Sequence, residues 1–274
     1  MFITPAYSLR YIGLKSPCFQ QKILDYMRRV LIYMKLYKYK ALPYKKDNLN
    51  EGELKQVEYC KDIILNNRLF MTPREILNDP LEGMAVPIEL GISGSGIYAS
   101  LGMLHPFVEE KINQYRILSL SANARSPLMW AHYANNYAGV CFEFELDINL
   151  NNIHKVSYID HQFDTLYEPS DGEFYKAIEK SLVFKSKNWS YEEEYRLITK
   201  ENKQFLDNIK LTGIIIGHKS VWAKNIINLV KDKNIPIYYT LISTKNYKVN
   251  IINKLPTMLD MGVDTLKNIG YFGY

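Results

Sequence analysis

Apolar and polar positions alternate most regularly along residues 140–146, where Val140, Phe142, Phe144 and Leu146 share one side and Cys141, Glu143 and Glu145 the other. A period of two predicts a half-buried strand. Just upstream, the apolar run 115–121 predicts a second, buried strand ending at Ser121, and Ser126-Pro127 opens a helix over 128–138. Ser126 is placed to accept a free amide proton of the first turn, and Pro127 sits where its missing N–H costs nothing. Gly139 closes that helix, as a left-handed C-terminal turn would require.

A third stretch, 191–199, predicts another strand. Glu192, Glu194 and Arg196 would project from one face at steps of about 6.6–6.8 Å, with Tyr191, Tyr195 and Leu197 on the other. Spacings of three and four predict helices over 17–34, 51–67 and 221–233, the last capped by Ser220, and short strands are predicted at 36–42, 68–71, 211–217, 235–243 and 247–252. Residues 78–83 (Asn-Asp-Pro-Leu-Glu-Gly) read as a turn and 91–96 as a glycine-rich loop matching no phosphate-binding fingerprint. Without strict βαβα alternation, the expected class is α+β, with a mixed, largely antiparallel sheet and flanking helices. The expected organisation is a helical extension over 1–35, one domain over 36–255 and a tail over 256–274.

Composition narrows this picture modestly. Hydrophobic residues make up 47% and charged residues 23%, as in a globular chain, and 34 basic against 29 acidic residues leave +5, which permits an anionic ligand or nucleic acid without requiring one. Cys18, Cys60 and Cys141 share no ligand or redox spacing and read as reduced. With no apolar run long enough for a membrane span and no signal-peptide pattern, the expected location is the cytoplasm. The five histidines lack metal-ligand spacing, so no metal is expected.

Candidate chemistry gathers on few residues. Two neighbouring carboxylates repel when both are ionised, so Glu192 and Glu194 would divide into a proton carrier and a group that stays charged, with Arg196 as the compensating cation. Met129, His132 and Tyr133 fall on one helical face, which would aim an imidazole and a phenol into one pocket. Against this, His132 also suits a core position, the Glu192–Arg196 face a solvated strand, Ser119 and Ser121 plain strand hydroxyls, and Lys38 and Lys40 a charged sheet edge.

Several segments together resemble a family of bacterial proteins of unassigned function often found near phage-defence genes: Leu36-Tyr-Lys-Tyr-Lys40, Asn78-Asp-Pro-Leu-Glu82, Ser119-Leu-Ser121, Met129-Trp-Ala-His-Tyr-Ala134, Gly139-Val-Cys-Phe-Glu-Phe144, Lys185-Ser186 and Trp189-Ser-Tyr-Glu-Glu-Glu-Tyr-Arg196. The order of basic strand, Ser-x-Ser strand and Glu-x-Glu is also similar to the arginine, serine, glutamate arrangement of ADP-ribosyltransferases. That resemblance implies an ADP-ribosyltransferase-like fold and NAD as substrate. Lys38 or Lys40, with Tyr39 between them, would hold the NAD phosphates or ribose, and Ser119 and Ser121 would order the nicotinamide pocket. Trp130, His132 and Tyr133 would wall the site, Arg196 would adjoin the cofactor, Glu194 would engage the ribose and Glu192 would activate the acceptor. Lysine stands where that superfamily has arginine. The implied protein is a toxin or defence effector acting on nucleic acid or protein, with an antitoxin or defence-system partner. Two other functions fit the same residues: a metal-independent nuclease, or nucleic-acid-binding effector, using His132, Tyr133, Glu194, Arg196 and the lysines, and a nucleotide-sensing module without catalysis.

Overall fold

In a computed structural model of the protein, the alternating run around Phe142 lies in the middle of a broad sheet. The structure describes residues 33–83, 106–147, 153–160, 176, 178–200, 204–207, 209–243, 245–246 and 248–253. Residues 17–32 of the helix expected over 17–34, the 91–96 loop, Cys18 and the 256–274 tail lie outside them.

The strands are β1 (Tyr33–Lys40), β2 (Leu69–Phe70), β3 (Thr72–Pro73), β4 (Arg116–Ser121), β5 (Val140–Asp147), β6 (Ile153–Lys155), β7 (Ser157–Ile159), β8 (Phe184–Ser186), β9 (Glu194–Thr199), β10 (Phe205–Leu206), β11 (Lys210–Ile216), β12 (Ile237–Ser243) and β13 (Lys248–Ile252). The helices are α1 (Glu51–Asn66), α2 (Pro106–Ile112), α3 (Pro127–Tyr133) and α4 (Ala223–Val230). The main sheet runs β13, β12, β11, β5, β1, β4, β9, β6, with β3 beside β4. Only the β11 and β12 neighbours in it are parallel, so the class is α+β with a mixed, mostly antiparallel sheet.

Both faces of the sheet centre are covered. Leu36, Leu118, Phe142, Phe144, Ile214 and Ile216 pack under α1 and α4, while Tyr39, Cys141 and Ile215 pack under α3 and the turn after it. Cys141 is therefore fully buried and Glu143 nearly so, and β5 is not the half-exposed strand its alternation suggests. Alternation marks which side chains share a face; it does not say that the second face meets water.

The caps follow the local chemistry. Asn50 accepts from the Glu53 amide and Glu53 returns the bond to the Asn50 amide, both at 2.9 Å, which starts α1. Ser126 caps α3 through the Met129 amide, with Pro127 at the first helical position. That helix ends at Tyr133, five residues before the expected end, because Asn135, Asn136 and Tyr137 take left-handed conformations (φ 45°, 49° and 70°). Asparagine tolerates that region better than most residues. Gly139 serves a different purpose from the expected one: a Cβ there would lie 2.1 Å from the Lys40 carbonyl oxygen, so glycine is what lets this turn pass the end of β1. β1 itself begins at Tyr33, so residues 33–35, expected in a helical extension, instead pair with β5. α4 begins at Ala223 and ends at Val230, inside the expected span; Ser220 accepts from the Trp222 amide one residue before it. No described helix is long and apolar enough to cross a membrane.

Candidate functional site

β1 pairs with β5 along its whole length, but with β4 it shares a single registered pair, Tyr37 opposite Ser121. The Lys38 side chain crosses between the two strands, and its Nζ donates to the Ser119 carbonyl at 2.8 Å. A cleft of about 220 Å³ opens here, lined by Lys38, Lys40, Ser119, Tyr133, Glu192 and Glu194 among others.

One wall is a cluster of interlocked charges. Glu194 and Arg196 point the same way from β9, and the guanidinium takes both carboxylate oxygens, at 2.8 and 2.9 Å. Arg196 also reaches Glu82 Oε2 at 2.8 Å and the Leu182 carbonyl at 2.6 Å. Lys185 stands among three carboxylates: Glu192 at 2.7 Å, Glu82 at 2.8 Å and Glu194 at 3.5 Å. All five side chains are at least nine-tenths buried. Three carboxylates against two cations leave the cluster one formal negative charge.

That surplus falls on Glu192. Burial pushes its pKa up, and the Lys185 ammonium and the Tyr133 hydroxyl, which donates to its Oε1, only partly offset the rise. Burial also opposes ionisation of Glu194, but Arg196 outweighs it and holds this carboxyl well below the usual range. Ser119 Oγ lies against the Glu194 carboxylate, though not in full hydrogen-bonding geometry. The two carboxylates are thus divided by their surroundings into one that exchanges a proton and one that stays ionised.

The other wall is cationic and unpaired. Lys38 keeps some surface exposure as a residue, yet its ammonium is enclosed, and burial together with the nearby Lys40 charge lowers its pKa to about 7. Burial lowers Lys40 as well, whose Nζ lies over the Tyr59 ring. Neither lysine is ion-paired to a described residue.

Some of the residues singled out from the sequence stand elsewhere. Glu192 is not on a strand: residues Lys187–Glu192 form a 3-10 helix, and β9 starts at Glu194. Glu193, left-handed at φ 46°, turns the chain between them so that both flanking carboxylates still enter the cleft. His132 is exposed, with Nδ1 2.9 Å from the Tyr191 hydroxyl, and lines a separate groove with Lys45 and Glu53. Met129 and Tyr133, four residues apart, reach the cleft, and the helix turns His132 away from it. Trp130 is fully buried beneath the site, stacked on Tyr137 and donating to the Ala124 carbonyl at 2.9 Å, so it does not wall the cleft. Arg196 also lies behind the wall and does not line the cavity. Ser121 and Tyr39 do line it, but their hydroxyls are committed to backbone: Ser121 donates to the Glu192 carbonyl at 2.6 Å and Tyr39 to that of Asn123 at 2.7 Å.

Sequence reasoning gave no role to Glu82 and Lys185, which complete the cluster. Glu82 arrives on the Asn78–Gly83 turn, which Asp79 holds by accepting from the Leu81 amide at 2.9 Å. Lys185 directly follows the apolar run Leu182-Val-Phe184, and a charge there is a signal of a buried ion pair. Among the described residues no group of His, Cys, Asp and Glu is disposed to hold a metal.

Residues 129–197 match a family described as a protein of unknown function (DUF2971). That span carries Tyr133, Lys185, Glu192, Glu194 and Arg196 but not Glu82, Ser119 or the lysine wall. No curated protein and no solved structure matches the chain.

Proposed function

We propose that the cleft binds NAD and transfers its ADP-ribose to an acceptor on nucleic acid or protein, as a toxin or defence effector with an ADP-ribosyltransferase-like fold would. One observation carries this reading: an arginine-locked carboxylate and a proton-exchanging one share a cavity whose facing wall offers two unpaired lysines. The substrate that suits it has an anionic pyrophosphate at one end and a sugar carbon that becomes positive at the other. Lys38 and Lys40 meet the phosphates as point charges, since an ammonium cannot make the bidentate grip of an arginine. Glu194 supplies fixed negative charge where the ribose turns cationic, which favours the transition state over the ground state. The bond from ribose C1′ to nicotinamide breaks and its electron pair leaves with the nicotinamide. The acceptor oxygen or nitrogen bonds to C1′, and its proton passes to Glu192, whose raised pKa suits it to take one.

A second reading has its own observation. Both Glu194 oxygens are already held by Arg196, which suits a rigid nucleotide-sensing pocket without catalysis. A nuclease is less well supported, because His132 stands outside the cleft. Incubating the protein with NAD and quantifying free nicotinamide decides between transfer and sensing. Release that Glu192→Gln and Glu194→Gln each abolish, in protein that still melts cooperatively, supports transfer. Thermal stabilisation by NAD with no nicotinamide released supports sensing and overturns transfer.

A further inference from the structure

Beside the first cavity lies a second, of about 430 Å³, lined by Tyr37, Asn123, Arg125, Glu143 and Tyr238 among others. It adjoins the first. Tyr37 lines both, and the chain passes from Ser121 in the first cavity directly to Ala122 in the second.

The chemistry of this cavity is asymmetric. Glu143 is 8% exposed and belongs to the middle strand of the sheet. Its Oε1 accepts from Thr212 Oγ1 and from Lys35 Nζ, each at 2.9 Å, and its Oε2 accepts from the Tyr37 hydroxyl at 3.2 Å. A carboxylate offers about four acceptor positions, so the described residues leave one unfilled, on Oε2. At the mouth, the Arg125 side chain is exposed and makes no ion pair with a described residue. The Tyr238 ring lies against Gly213, where an added Cβ would come within 3.2 Å of it, so the missing side chain gives that ring its place on the sheet. The pocket therefore presents an aromatic ring, one acceptor position on a buried carboxylate that no described residue fills, and an exposed guanidinium that pairs with no described residue.

We propose that this second cavity binds one base of a single-stranded nucleic acid that carries an exocyclic amino group, with Arg125 meeting the backbone phosphate and Glu143 accepting from the amino group. A planar base stacks on tyrosine whatever its identity. The acceptor position on Glu143 that no described residue fills selects cytosine, adenine or guanine over thymine or uracil, whose corresponding exocyclic group is a carbonyl that would meet the carboxylate acceptor to acceptor. Arg125 adds an affinity that ignores sequence and weakens with salt. That the bound base is also the acceptor for ADP-ribose rests on the transfer proposed above; the binding itself does not.

The test uses the full chain without NAD and fluorescein-labelled oligo-deoxycytidylate and oligo-deoxythymidylate of about a dozen nucleotides, within the span one such site covers, followed by anisotropy. The cytidylate binds about tenfold more tightly, as expected for one good base contact. Arg125→Ala, at an exposed position that leaves folding intact, weakens both strands and lowers the salt slope by about one. Glu143→Gln, checked by an unchanged melting curve, reduces the preference for cytidylate more than the affinity for thymidylate. Equal binding of the two strands, binding indifferent to Arg125→Ala, or no binding at all overturns the site. Nicotinamide release measured on the same preparation keeps the two proposals apart: release without strand binding removes the base site and leaves transfer standing, and strand binding without release does the reverse.

Discussion

On the β9 side of the cleft, five buried charges interlock in ion pairs; on the β1 side, two lysines face the same space with no ion pair to a described residue. Burial acts on both walls, with opposite results. Where Arg196 grips both oxygens of Glu194 within about 3 Å, ionisation survives burial and the geometry is fixed from several directions. Where Lys38 has a backbone carbonyl as its hydrogen-bond partner and the like charge of Lys40 nearby, burial favours giving up the proton, and its pKa falls to about 7. The paired wall is thus a frame of ion pairs around one carboxyl with a raised pKa, and the other wall carries two enclosed ammonium groups that pair with no described residue.

Breaking the paired wall has the largest effect. Arg196→Met strands Glu82 and Glu194 in the core and costs about 3–5 kcal/mol of stability in urea titrations. Lys38→Met leaves only the Ser119 carbonyl short of a partner and costs about 1–3 kcal/mol at most. If the lysine proves the costlier of the two, the contrast between the walls is wrong.

Under the proposed transfer, loss of activity separates from loss of stability at Glu192. Replacing it by glutamine removes the formal surplus charge of the cluster, so melting is unchanged or improved, while nicotinamide release falls about 10²–10⁴-fold. A matching loss of stability would make Glu192 part of the frame instead.

The lysine wall is probed by protons. An anion bound beside Lys38 restores its charge, so binding NAD at pH 8 draws up to one proton from solution, seen by calorimetry in buffers of different ionisation enthalpy. Lys38→Met abolishes that uptake and weakens binding.

The smallest effects are in the pH dependence of stability. Glu194 titrates at about 2 in the folded chain against 4.5 ordinarily, so its contribution is complete above pH 4.5 and fades as pH falls toward 2. Lys38 is depressed from 10.5, so its burial penalty is full below about pH 7 and is relieved as pH rises from there to 10.5. Glu194→Gln flattens the acid limb and Lys38→Met the alkaline one in chemical denaturation across pH.

Particular residues show what could be read in advance. The alternation of Val140–Leu146, the Ser126-Pro127 helix start and the expectation that Glu192 and Glu194 would differ in pKa all follow from neighbours a few positions apart. His132 failed for a reason of angle. Of three residues on one helical face only the pair four apart, Met129 and Tyr133, lines the cleft, and the residue between them turns outward. Trp130 failed because the largest apolar ring near the sheet serves better as core than as wall.

The sequence by itself determined the strand faces, the caps and the presence of two carboxylates whose protonation must differ, because these depend on spacing and on chemistry within a turn or a strand. Only the tertiary structure decided which carboxylate keeps its charge. That outcome depends on the burial of both carboxylates and on Lys185 and Tyr133, brought to Glu192 from separate segments, set against Arg196 on the same strand as Glu194. Burial and Coulomb energy act through distance in space, and distance along the chain does not record it.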